Sequence, residues 1–194
     1  MIPTPPLRVR NRLAEIILAA LEHAEARREL AALGAPEAAA PAWLDDDERA
    51  HARLVRERAG RASAALAARP PAAPIHSRGD VLDAAAMLFD VHFYFEVHEL
   101  LEPSWRDAHG SDREALQGLI QVAVGYQYLA NANFAGARAL LGEGRDRIRG
   151  RTLDGLDLEP FGVAVGRSLE GLLHFDWRTV PTFPRGANAR KEIS

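Results

Sequence analysis

Apolar residues recur at the spacing of an α-helix along almost the whole chain, and this periodicity restricts the fold more than any other feature. Only the segment VHFYFEV, residues 91–97, has the composition of a strand, and the chain offers no second strand to pair with it. The pattern predicts an all-α protein, a helical bundle of about five helices preceded by a two-helix N-terminal extension. The predicted helices cover residues 7–33, 45–69, 80–89, 91–108, 112–131, 134–149 and 159–174.

A proline run divides the chain into two parts. The sequence RPPAAP at 69–74 ends the second helix, because proline lacks the backbone N–H that a helix needs. We therefore expect an N-terminal helical extension with a Pro/Ala-rich linker over residues 1–75 and the bundle over residues 76–175. The segment 176–194 is rich in Pro and Gly and is expected to form an irregular tail.

The composition excludes several classes of function. The chain has no cysteine, so disulfides, zinc–thiolate sites and thiol nucleophiles are ruled out. Its net charge is −3, and it lacks the clustered basic face of a nucleic-acid-binding protein. No stretch approaches the roughly 20 apolar residues of a membrane span, and the N-terminus does not resemble a signal peptide. We expect a cytoplasmic protein with no cofactor and with no nucleic-acid or membrane partner.

The segment FEVHELLEPSW, residues 95–105, places ionisable groups in the most apolar part of the chain. On a helical wheel, His98 and Glu102 fall in the middle of an apolar stripe, one turn apart. The same wheel places Glu96, Glu99 and Arg106 on a flank that reaches water. A carboxylate on a buried stripe needs partners, and the nearest is the imidazole one turn away. The other members of the apolar stripe are Val91, Tyr94, Phe95, Leu101 and Trp105.

The segment EALQGLIQVAVGYQYL, residues 114–129, is apolar nearly all round and is expected to be the central helix. Gln117 and Gln121 lie one turn apart on it, in a stripe with Val124 and Tyr128. Carboxamides donate and accept hydrogen bonds, so they suit buried His and Glu side chains. We predict a polar cluster between two core helices in which Gln121 hydrogen-bonds to His98 or Glu102. The expected members are His98, Glu102, Gln117 and Gln121, with Tyr94 or Tyr128 as candidate additions.

These segments resemble the domain of unknown function 309 family. The family's His-Glu-x-x-Glu-x-x-Trp segment matches His98, Glu99, Glu102 and Trp105, and its Gln-Gly-Leu-Ile-Gln-like segment matches Gln117 and Gln121. Its Gly-Asn…Gly-Ala turn matches Asn133, Gly136 and Ala137. The resemblance covers roughly residues 80–150 and implies a small all-α bundle with no established activity. Two positions depart from the family pattern, Ala132 in place of the usual Gly and Pro103, which is expected to kink the helix.

Three interpretations of the His98 and Glu102 pair remain open. Metal binding would need a third ligand such as His92, Glu99 or His174, because a catalytic zinc site takes three protein ligands and water. In a catalytic site, Glu102 or Glu99 would act as general base and His98 as acid. In a structural network, the same groups would only set the register of the helices. Because two ligands at helical spacing do not complete a metal site, the sequence predicts none.

The function that the sequence favours is a binding or interaction module. Its candidate ligand-binding residues are those of the polar cluster together with Glu99 and Trp105, and its partner is an unidentified small molecule or protein. The alternative is a small hydrolase-like or metal-assisted enzyme that uses His98 and Glu102. Solvent access to the cluster distinguishes these functions from a purely structural role. The sequence decides neither whether a reaction is catalysed nor whether the chain forms a homo-oligomer.

Overall fold

The computed structural model describes residues 4–69 and 74–185. The chain divides into two compact units, residues 2–76 and residues 77–194. Nearly all regular structure in both units is helical, which confirms the all-α class. No helix within the described residues combines the length and the apolar character needed to cross a membrane.

The described residues of the N-terminal unit form three α-helices where two were predicted. They are α1 (Leu7–Glu22), α2 (Ala24–Leu33) and α3 (Ala52–Ala67), and α3 follows a 3₁₀ turn, Asp46–His51. The predicted helix 7–33 breaks at His23, whose backbone is extended with φ −117° and ψ 120°. Arg27 Nε donates to the carbonyl oxygen of Ala20 at 3.0 Å, which satisfies a carbonyl in the last turn of α1. The break is a local feature that apolar spacing does not reveal.

Capping and close packing hold this unit together. Asp45 and Glu48 form a capping box at the start of the 3₁₀ turn, so the acidic run lies at the positive helix end as expected. Arg8 of α1 reaches across to Glu48, with Nε donating to Oε1 at 2.8 Å. Gly34 meets Gly60 of α3 backbone to backbone, since a Cβ on Gly34 would lie 2.6 Å from the Gly60 Cα.

The second unit is built from five α-helices among its described residues. They are α4 (Arg78–Asp90), α5 (Tyr94–Asp107), α6 (Gly110–Ala130), α7 (Phe134–Ile148) and α8 (Glu159–Glu170). Between α7 and α8 lies a two-residue antiparallel hairpin, β1 (Thr152–Leu153) and β2 (Leu156–Asp157), which the sequence did not predict. The strand-like segment 91–97 forms a turn and the start of α5, as the helical interpretation expected.

Helix α6 is the central element, and it packs against both α5 and α7. Twelve of its 21 residues are buried. Its Gly118 and Gly125 lie against α7, where an added Cβ would come within 3 Å of Ile148 and Leu141 respectively. The two helices therefore approach each other more closely than side chains would allow.

The α4–α5 and α6–α7 connections use the same turn. His92 and Ala132 both have positive φ, 68° and 61°. In each turn the next residue donates its N–H back five positions, Phe93 to the Leu88 carbonyl and Asn133 to the Tyr128 carbonyl, both at 2.9 Å. Glycine adopts a positive φ more readily than any other residue, so both turns place a side chain where glycine would be favoured.

The segment 176–185 contains only a 3₁₀ turn, Trp177–Thr179, yet it is anchored to the bundle. The Phe183 N–H donates to Asp90 Oδ1 at 3.0 Å, and Arg185 pairs with the same carboxylate. The Phe183 ring centroid lies 5.0 Å from that of Phe89, so the segment covers one end of the aromatic core. The remainder of the predicted irregular tail lies outside the described residues.

Candidate functional site

The buried face of α5 is rotated relative to the predicted stripe. Phe93, Tyr94, Val97 and Leu101 are all fully buried at 0% exposure. The His98 and Glu102 side chains, expected at the centre of that face, are instead 30% and 29% exposed. The buried face of α5 therefore lies roughly 80–100° around the helix axis from the predicted face, which is close to the rotation of one residue.

Glu96 departs from its predicted position in the opposite direction. It was expected on the water-facing flank together with Glu99 and Arg106, but it is only 1% exposed. The side chains of Glu99 and Arg106 are 37% and 65% exposed, as predicted. Glu96 was misplaced because the wheel of a single helix does not show which neighbours cover its flanks.

Three potential ligand side chains meet on one turn of α5, and we call them the His98 cluster: His98, Glu99 and Glu102. One ligand atom from each lies within 4.8 Å of the other two. His98 Nδ1 is 3.1 Å from Glu99 Oε1. Glu102 Oε1 accepts from the Arg106 guanidinium at 2.7 Å. The helix continues through Pro103 to Asp107, so Glu102 keeps its position one turn after His98.

The predicted network between α5 and α6 does not form. Gln121 is buried, but its Nε2 donates to Glu143 Oε2 of α7 at 2.8 Å rather than to His98 or Glu102. Gln117, one turn earlier, is only partly buried. The prediction failed because the sequence shows that Gln121 is enclosed without showing which neighbouring helix it faces. The Gln121 Oε1 is buried without a partner.

The two tyrosines suggested as additional members lie outside the network as well. Tyr94 is fully buried, and no described residue forms a hydrogen bond with its hydroxyl. Tyr128 is 38% exposed. The candidate site is therefore a half-exposed turn of a single helix rather than a sealed polar core.

Comparison with protein families identifies the segment that carries this turn. Residues 82–140 match the family described as Domain of unknown function (DUF309). This segment of the chain is similar to DUF309. The matched segment begins within α4 and ends within α7, so it includes every motif residue named above. Comparisons with curated proteins and with solved structures found no significant match.

Trp105, the last residue of the DUF309 motif, packs beneath Arg113 of α6. The Arg113 guanidinium lies 4.1 Å from the Trp105 ring centroid. Its NH1 also donates to the carbonyl oxygens of Trp105 at 2.9 Å and Arg106 at 3.2 Å. Arg113 thus caps the C-terminal end of α5, where a cation suits the helix dipole. No sequence signal singled out Arg113, because its partner is a tryptophan on the preceding helix.

The turn residues of the DUF309 motif have structural roles. Asn133 caps α7, since its Oδ1 accepts from the Gly136 N–H at 2.9 Å. A Cβ on Gly136 would lie 2.4 Å from the Tyr128 ring, and Ala137 is fully buried. These residues shape the α6–α7 connection, whereas the motif residues with ionisable side chains are those of the His98 cluster.

The aromatic core of the unit surrounds Phe89, next to the DUF309 motif helices. The rings of Tyr94 and Tyr126 lie edge-on to Phe89, at 5.1 and 5.6 Å between centroids. Burial raises the pKa of both tyrosine hydroxyls well above its ordinary value. The Tyr126 hydroxyl donates to Ser168 Oγ of α8 at 2.8 Å. Both hydroxyls therefore stay protonated and help to form a neutral core.

Proposed function

We propose that the segment similar to DUF309 belongs to a binding module whose binding centre is the His98 cluster and whose ligand is a divalent metal ion. The observation that carries the proposal is the convergence of one imidazole and two carboxylates within 4.8 Å on a partly exposed helical turn. The two-ligand pair inferred from sequence thus gains a third group, Glu99. This proposal differs from the expectation, drawn from the sequence, that the chain has no metal site.

The donor atoms and their spacing suit such an ion. Imidazole nitrogen and carboxylate oxygen are ligands of zinc and related divalent metals. Around a tetrahedral zinc ion with bonds of about 2.0–2.1 Å, neighbouring ligand atoms lie about 3.4 Å apart. His98 Nδ1 and Glu99 Oε1 are already 3.1 Å apart. Glu102 needs only a side-chain rotation away from Arg106, and an exposed ion pair of that kind contributes about 0–1 kcal/mol.

The partial exposure of the cluster separates binding from a purely structural role. All three side chains are between 29% and 37% exposed, so an ion held there keeps coordination positions open to solvent or to a partner molecule. A structural network would be sealed, and its polar groups would satisfy one another. In the cluster, the Glu102 carboxylate instead pairs with the exposed side chain of Arg106.

A metal-assisted hydrolase that uses His98 and Glu102 is the second candidate. Three protein ligands with open positions are the arrangement of a catalytic zinc site. Catalysis also benefits from a concave site that excludes water. A cavity lies between α8 and the segment after it, and none of the cluster residues lines it. This placement favours binding over catalysis.

The test is calorimetric titration of the untagged full-length chain with Zn²⁺ and with Mn²⁺. Tight binding of one ion per chain is expected, with a large loss in His98→Ala and in Glu102→Gln. His109→Ala, at an exposed histidine outside the cluster, should bind as the wild type does. Acidification should weaken binding, because protons compete with the ion for the imidazole and the carboxylates. If neither ion binds, or if the cluster variants bind as His109→Ala does, the proposal is wrong.

A metal-loaded sample also tests the second candidate. Hydrolysis of a general ester or phosphoester substrate that disappears in Glu102→Gln would favour the enzyme. Metal binding without turnover would favour the module.

A further inference from the structure

A cavity of about 480 Å³ lies between α8 and the segment that follows it, away from the DUF309 motif. Its volume is in the range of small-molecule sites, about 300–1,000 Å³. Its apolar walls come from Ala164, Gly171, Phe175 and Pro181, and no residue of the His98 cluster lines it.

One buried polar group lines the cavity. Ser168 is 4% exposed, and its Oγ accepts the hydrogen bond of the Tyr126 hydroxyl at 2.8 Å. A hydroxyl that accepts in this way still has its own hydrogen to donate. No described residue takes that hydrogen in a hydrogen bond. Because buried donors are nearly always satisfied, an acceptor in the cavity would complete the group.

The rim of the cavity carries an unpaired cation. Arg167 is exposed, lines the cavity, and forms no ion pair with any described carboxylate. In the same unit, Arg78, Arg106, Arg147 and Arg178 are all paired with acidic side chains. His174 also lines the cavity and adds ring N–H donor capacity. A guanidinium binds a carboxylate or phosphate through two parallel N–H donors.

Among the described residues that line the cavity, one carries a carboxylate, Asp176, and it is paired with an arginine. Asp176 accepts from Arg178 Nε at 3.0 Å and from its NH2 at 2.7 Å. These hydrogen bonds lower the pKa of Asp176, so it remains ionised and paired with Arg178. Its charge is offset within the pair, and the unpaired charge at the cavity is that of Arg167.

We propose that this cavity binds a small organic anion, with its carboxylate or phosphate group at Arg167 and its apolar part against Phe175 and Pro181. The Ser168 hydroxyl donates a hydrogen bond to the same ligand from the inner wall. The combination of apolar walls with a few convergent polar groups is typical of a small-molecule site.

The test titrates four probes into the protein. Binding of each probe is monitored through the amide chemical shifts of the protein in two-dimensional NMR. Benzoate and phenyl phosphate carry the expected group on an apolar ring, benzylamine carries the opposite charge, and inorganic phosphate has no apolar part. Benzoate or phenyl phosphate should shift the amide signals of Gly171 and Phe175, and the tighter of the two identifies the preferred anionic group. Benzylamine should not shift them, and inorganic phosphate should bind more weakly than phenyl phosphate.

The matched variants are Arg167→Gln and Arg138→Gln. Arg138 is another exposed arginine, on α7, that no described carboxylate pairs and that does not line the cavity. Arg167→Gln should weaken binding about tenfold, and Arg138→Gln should leave it unchanged. The proposal fails if neither aromatic anion shifts these amides, if benzylamine binds equally well, or if the two variants behave alike. If inorganic phosphate bound as tightly as phenyl phosphate, the claim that the ligand has an apolar organic part would be wrong.

Discussion

Gly118 and Gly144 meet backbone to backbone where α6 crosses α7. A Cβ on Gly118 would lie 2.9 Å from the Gly144 carbonyl oxygen, and a Cβ on Gly144 would lie 2.8 Å from the Gly118 carbonyl oxygen. Separations below 3.0 Å with backbone atoms cannot be relieved by rotating a side chain. The approach of these two helices therefore depends on the absence of a side chain at both positions.

The first prediction is that Gly144→Ala destabilises the protein by about 1–3 kcal/mol, as overpacking does. The matched control is Gly142→Ala, two residues earlier on the same helix, where an added Cβ meets nothing within 4 Å. Because alanine favours a helix over glycine, the control should gain about 0.5–1 kcal/mol. Chemical denaturation of both variants measures the difference. Equal changes in the two variants would show that α6 and α7 are not in close contact.

The second prediction concerns the departure from the family pattern at position 132. Ala132 has φ 61°, a conformation that costs a non-glycine residue about 1–2 kcal/mol. Replacement by glycine removes this cost but also raises the conformational entropy of the unfolded chain, which offsets part of the gain. Ala132→Gly should therefore stabilise the protein by about 1 kcal/mol. Ala139→Gly, at an exposed position within α7, should instead cost about 1 kcal/mol. Thermal melts that show both variants destabilised would contradict the turn geometry.

The third prediction separates the stability of α5 from the chemistry of its exposed turn. Glu102 is partly exposed and, among the described residues, pairs with Arg106 alone, so Glu102→Ala should change the free energy of unfolding by no more than about 0.5 kcal/mol. Its neighbour Leu101 is fully buried, and Leu101→Ala should cost about 2–5 kcal/mol. A large loss of stability in Glu102→Ala, measured by urea titration, would instead support the buried network that the sequence first indicated.

The fourth prediction concerns alkaline pH. In the folded protein, burial raises the pKa of Tyr94 and Tyr126, whereas in the unfolded chain both ionise near the ordinary tyrosine pKa of about 10. Above that pH the folded state holds more protons than the unfolded state, so stability falls as pH rises. The expected slope is about 1.4 kcal/mol per pH unit for each tyrosine.

Tyr94→Phe provides the control, because no described residue forms a hydrogen bond with the Tyr94 hydroxyl and its removal should cost little at neutral pH. In the variant, the free energy of unfolding should fall with rising pH at about half the wild-type slope. Denaturation curves at stepped pH measure the slope, and an unchanged slope in Tyr94→Phe would show that its hydroxyl ionises in the folded state.

The helices could be predicted from sequence because a helix depends on contacts three and four residues apart, which the order of residues already contains. All five α-helices of the second unit lie close to the predicted ranges. The same local logic failed at His23, where the chain leaves the helical conformation at one residue and re-enters it at the next. Apolar spacing continues through such a break unchanged, so the break is invisible in the pattern.

The chemical identity of the site was contained in the sequence, whereas its environment was decided by tertiary structure. The motif showed that His98, Glu99 and Glu102 share one helical stretch, because their spacing is local. Whether that turn faces the core depends on how α5 is rotated against its neighbours, and several apolar arcs were compatible with its composition. In the packed protein, Val97 and Leu101 are buried, and Glu102 accepts a hydrogen bond from Arg106. It also gave Gln121 a partner on α7, 22 residues away, which no local pattern encodes.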